Sequence, residues 1–147
     1  MQKSVRGMTL AAAMVGTGGV FAAEPAEVDA VKTVVMSAYV EGVHRQGDPA
    51  LMRAGFHPDF RMYTLRDGKV GFVTLDEWTE RVARSAQERK GPAPKVEATF
   101  AQVDVTGSAA AVRLDLKRDG KHAFTDYLSL YKLPEGWRIV AKTFQAY

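Results

Sequence analysis

An α+β fold is what this sequence predicts, with helices first and an antiparallel sheet after them. Three observations carry the expectation. Asp119-Gly120 and Pro134-Glu135-Gly136 separate three alternating runs between Leu114 and Phe144. Such turns supply the positive φ angles that β-hairpins need. Apolar residues run at helical spacing from Val28 to Gly42. Thr74-Leu75-Asp76-Glu77 has the pattern of a capping box. The helices must then cover one face of a closing meander.

The chain of 147 residues is one domain's worth, and 46% apolar with 10% aromatic residues suffices for a packed core. Its first residues read as an export signal. Lys3 and Arg6 form a positive start, Met8 to Phe21 is uncharged, and Val20-Phe21-Ala22 suits cleavage after Ala22 or Ala23. The expected division is a signal peptide over 1–22 and a single domain over 23–147, periplasmic or secreted, with no stable membrane anchor after cleavage. Removing the signal leaves 18 basic against 17 acidic side chains, a formal charge of +1. That balance gives no electrostatic footprint for nucleic acid. Cysteine is absent, which excludes disulfides, thiolate metal sites and cysteine nucleophiles.

Glu24, Glu27 and Asp29 suit the positive end of a first helix. Val28, Val31, Val35, Ala38 and Gly42 form its buried stripe, with Tyr39 alongside, and Gly47 stops it. His44 falls in the last turn and reads as a surface residue. Asp48-Pro49 restarts a short helix, a good N-cap followed by a proline at the first helical position. In Phe56-His57-Pro58-Asp59-Phe60, the proline biases His57 to an extended backbone, making a loop that enters a strand. Asp67-Gly68 turns that strand back. Thr74 and Glu77 then open a third helix with Leu75, Trp78, Val82 and Ala86 inward. Lys90 to Pro94 is a linker.

Four strands fill the stretch from Val96 to Thr143. Two-residue loops at the first two turns, and a three-residue loop at the last, set an expected register. It places Val103, Leu114, Leu116, Tyr127, Ser129, Tyr131, Trp137, Ile139 and Thr143 on the inner face. Gln102, Arg113, Asp115, Asp126, Leu128, Lys132, Arg138, Val140 and Lys142 fall on the other. A slip of one residue would mix the two sets.

The order of elements resembles the cone-shaped fold of the nuclear transport factor 2-like superfamily. Tyr39-x-x-Gly42, Phe56-His57-Pro58-Asp59-Phe60, Leu75-x-x-Trp78, Phe124-Thr125-Asp126-Tyr127-Leu128 and Trp137-Arg138-Ile139-Val140 resemble its lumazine-binding branch, beside the SnoaL-like proteins. The resemblance implies a curved antiparallel sheet packed on about three N-terminal helices. It also implies a pocket at the wide end of the cone, and a homodimer.

Tyr39, His57, Phe60, Met62, Trp78 and Tyr127 are the candidate lining of that pocket. Aromatic rings with polar tips suit a small, largely apolar or planar ligand. Each also fits a plain core role. His57 with Asp59 could form a general base, or His57 could simply cap the backbone before Pro58. Asp126 could act as a neutral acid, the logic of ketosteroid isomerase in the same superfamily. In the expected register, however, it pairs with Arg113 across the strands. No cofactor, no metal and no catalytic residue is assigned. The preferred reading is an exported, non-catalytic small-molecule binder. An isomerase, cyclase or dehydratase using His57–Asp59, and a dimeric interaction module, are the alternatives.

Overall fold

Residues 23–147 are described by the computed structural model; the expected export signal lies outside them. A first helix, α1 (Pro25–Val34), continues without a break into a π-helical segment over Val35–Gln46. Gly47 ends it with φ 68°, and the Asp48 N–H returns to the Gly42 carbonyl at 2.8 Å. Then follow α2 (Pro49–Gly55), β1 (Phe56–Arg66), β2 (Lys69–Thr74) and α3 (Leu75–Gln87). Strands β3 (Val96–Thr106), β4 (Ala109–Arg118), β5 (Lys121–Leu133) and β6 (Gly136–Ala146) close the chain.

The expected caps are in place. Asp48 accepts from the Ala50 N–H at 2.8 Å. Thr74 and Glu77 bond each other reciprocally across the first turn of α3. Asp67-Gly68 and Asp119-Gly120 both sit at positive φ in two-residue turns.

The helices pack on one curved sheet of order β2-β1-β6-β5-β4-β3. All neighbours are antiparallel except β1 and β6, which run parallel. The loop expected before Phe60 is already strand: β1 pairs from Phe56, with an irregularity between Phe56 and Arg61.

The expected register is corrected on β5 and on part of β6. Lys117 pairs with His122 but Leu116 with Phe124, so Ala123 is an extra residue, a β-bulge. Past it every side chain of β5 changes face. Asp126, Leu128 and Leu130 point into the core; Tyr127, Ser129 and Tyr131 point out. A second bulge at Val140 turns Lys142 inward and Thr143 outward, and the last turn has two residues, Pro134-Glu135, not three. Leu114, Leu116, Trp137 and Ile139 are inside as expected.

Candidate functional site

The two bulges and the π segment bring three polar groups together inside the cone. Tyr39 and Asp126 are fully buried, and Lys142 is 4% exposed. The Tyr39 hydroxyl donates to Asp126 Oδ2 at 2.7 Å and accepts from Lys142 Nζ. Lys142 Nζ also lies 2.7 Å from Asp126 Oδ1. That approach is close for a charge contact but not aligned as a hydrogen bond, since Oδ1 has no bonded partner. The ammonium is boxed by rings as well. It sits 4.6 Å from the Tyr39 centroid and 4.7 Å from Phe144, with Trp78 and Phe124 at 5.6 and 5.8 Å. Such rings attract a cation, more so when it is out of water.

These surroundings shift the protons. Burial pushes the Lys142 pKa below the ordinary lysine value, with Asp126 pulling the other way. Burial, then the Asp126 charge, holds the Tyr39 phenol well above its ordinary range.

Lys142 forms part of the wall of a cavity of about 490 Å³. Met62 of β1, Trp78 and Val82 of α3, and Phe124 and Phe144 of the sheet give it apolar sides. Arg81, Arg89 and Arg118 also line it, and all three are exposed. His44 completes the wall. Contrary to its expected surface position, His44 is buried, at 9% exposure. Residues five apart lie about 140° apart on an α-helix, but stack on an i→i+5 helix. The π segment thus sets His44 beside Tyr39, ring centroids 4.8 Å apart. Burial, with the charges of Lys142 and Arg118, lowers the His44 pKa to about 3.

The expected lining residues divide. Met62 and Trp78 face the cavity. Tyr39 lies behind Lys142 as part of its support. Phe60 is fully buried and stacks on Trp78 at 5.5 Å, so it backs the site and does not line it. His57 is away from the cavity. Its Nδ1 accepts the Asp59 N–H at 3.1 Å, and the Asp59 carboxylate stands 3.9 Å off, 87% exposed. This is the local backbone cap, and the pair meets no other titratable group of the site. Tyr127 is 51% exposed on the outer face, because the Ala123 bulge turned it there. Asp126 does not face Arg113, which pairs with Tyr127.

Lys142, His44 and Phe124 are the site residues that sequence reasoning missed, and Asp126, weighed there as a neutral acid, was set on the outer face. One signal was available: Phe124, Asp126, Leu128 and Leu130 form a more apolar set than Thr125, Tyr127, Ser129 and Tyr131. A second, wider depression of about 650 Å³ follows the outside of the first helix past Lys32, Met36 and Glu41, and none of its lining residues is buried. Among the described residues, no group of three or more His, Cys, Asp or Glu is placed to hold a metal.

A family model described as "Putative lumazine-binding" matches residues 26–145. The chain belongs to this family. Aldolase FrzH of a Cladobotryum species is 26% identical over 122 residues, covering 82% of this chain and 92% of FrzH. An NTF2-like protein of unknown function from Shewanella baltica OS155 superposes with a TM-score of 0.68 at 24% identity. That match covers 86% of this chain and 98% of the other. A "putative ketosteroid isomerase" from Shewanella frigidimarina has a TM-score of 0.57 at 20% identity, covering 80% and 97%. This member of the family therefore has the nuclear transport factor 2-like fold, three helices on a curved six-stranded mixed sheet.

Proposed function

We propose that the chain binds a small planar ligand in the cavity beside Lys142, and that the Lys142 ammonium anchors a carbonyl oxygen of that ligand. The observation that carries this reading is a buried ammonium in the wall of an aromatic cavity, with Asp126 and Tyr39 behind it. Apolar walls with few placed polar groups are the usual form of a small-molecule site. The family's description as lumazine-binding agrees with such a ligand, lumazine being planar and rich in carbonyls.

Isothermal titration with lumazine tests it. Wild type should bind, and Lys142→Met should bind at least tenfold more weakly while keeping its circular dichroism. Tyr127→Ala, on the outer face, should bind as wild type does. Equal affinity in Lys142→Met would sink the assignment.

A second reading has its own support. Lys142, Asp126 and Tyr39 form the convergent set of proton-bearing groups that His57–Asp59 does not. An amine of lowered pKa in a cleft is a functional-site signature, and an aldolase is among the relatives. On this reading Lys142 moves a proton beside a ligand carbonyl, or holds the developing enolate. On either reading the chain would be exported after loss of residues 1–22 and would act as a pair of copies joined through their outer sheet faces. Mass spectrometry of protein from the periplasmic fraction would read both the cleaved mass and a retained ligand.

A further inference from the structure

The cavity wall carries four cationic side chains, Arg81, Arg89, Arg118 and Lys142, and no carboxylate. General basicity does not explain this, since residues 23–147 hold 18 basic and 17 acidic side chains. Glu77, Glu88 and Asp119 lie near these arginines in sequence, but none of them lines the cavity. Among the described residues, Arg81, Arg89 and Arg118 make no ion pair, whereas Arg45 and Arg53 do.

Arg118 is held in place. Its guanidinium carbon stands 5.7 Å from the Phe124 centroid, and Nη2 lies 3.4 Å from His44 Nδ1. A guanidinium only donates, so Nδ1 is the acceptor and His44 Nε2 carries the hydrogen. That Nε2 is buried and has no partner among the described residues. A buried donor left unpaired is costly and calls for an acceptor. Every polar side chain in the wall can thus present a donor or a cation, and none of them is a carboxylate or an amide. Lys142 is balanced by Asp126 and Arg81 feels the Glu77 carboxylate, which leaves Arg89 and Arg118 as the uncompensated charge.

We infer that the ligand is an aryl anion: its ring lies against Trp78 and Phe124, and its carboxylate or phosphate is held by Arg118 with Arg81 and Arg89. Guanidinium forks match both groups in bidentate geometry. This rests on the cavity being the binding site, and it adds the sign and the class of the ligand.

The test uses three probes with one ring system: 2-naphthoate, 2-naphthyl phosphate and 2-naphthamide. Titration calorimetry of the full mature chain should show at least one anion binding tenfold or more tighter than the amide. Which anion wins distinguishes carboxylate from phosphate. The preference should fall severalfold in Arg118→Gln and further in Arg118→Gln/Arg89→Gln, two exposed positions. It should also shrink as salt rises from low to molar concentration. An amide that binds as tightly as both anions would overturn the inference while leaving the cavity assignment intact. So would an anion preference unchanged in the double variant. Absence of binding by all three probes overturns the inference too, and lumazine titration then decides the cavity assignment separately.

Discussion

At the scale of single residues, the decisive fact is that histidine, lysine and aspartate share one buried space. His44 makes this measurable. Its pKa falls from 6.5 to about 3 in the folded chain, so between those values the unfolded chain binds the extra proton. Stability from neutral His44 is complete above pH 6.5 and is lost as pH falls towards 3. From pH 6.5 down to 4.5 the loss should be about 2–3 kcal/mol. The carboxyls of Glu27, Glu41 and Glu77 are shifted down from 4.5, so they enter only at the foot of this window and His44 dominates it. Urea melts at pH 7 and 4.5 should show that loss in wild type and most of it abolished in His44→Phe. Equal losses in the two would contradict the buried neutral imidazole. The sequence could not show this residue, because α-helical spacing puts His44 on the wet side. Only the π segment turns it inward, and no residue pattern announces a π segment. Tyr39 and Trp78 were legible because apolar periodicity marks a buried helical stripe, and Met62 because it alternates with Arg61 and Tyr63 along β1.

At the scale of elements, short-range chemistry was legible and long-range register was not. Caps and turns are set by two to four neighbouring residues, so Asp48, Thr74–Glu77, Asp67-Gly68 and Asp119-Gly120 could be read directly. Bulges depend on what packs across the sheet. One extra residue, Ala123, moved Asp126 from a surface ion pair to the centre of the site and moved Tyr127 out of it. The helix layer also has a requirement that spacing alone hides. A Cβ on Gly55 would stand 2.3 Å from Ala38 Cβ and 3.2 Å from Val34 Cγ1. The α2 segment can therefore lie on the first helix only with glycine there. Gly55→Ala should push the two apart and cost roughly 1–3 kcal/mol in urea unfolding, the range for overpacking. Gly91→Ala is the control: nothing lies within 4 Å of its added carbon, and it should be near neutral. Equal effects would mean that the close approach is not what glycine serves.

At the scale of the whole molecule, the outer sheet face asks what covers it. Tyr63, Phe72, Tyr127 and Tyr131 are each 41–58% exposed there. Between them the registers align Ala111, Ser129 and Ala141 in one row across three strands. Small side chains at the centre let a second sheet approach to the usual packing distance of about 10 Å. The row ends in Asp104 on β3 and Arg61 on β1. A two-fold axis through the middle would bring the acidic end of one copy over the basic end of the other, as an isologous interface requires. The occupant proposed for this face is therefore a second copy of the chain. Sedimentation equilibrium should find wild type dimeric at micromolar concentration. Ser129→Arg adds a long cation at the exposed centre and should give a monomer with unchanged circular dichroism. The cavity wall is made by one chain, so that monomer should bind lumazine as wild type does. A monomeric wild type would refute the pairing, and loss of binding in a folded Ser129→Arg monomer would show that the site needs both copies.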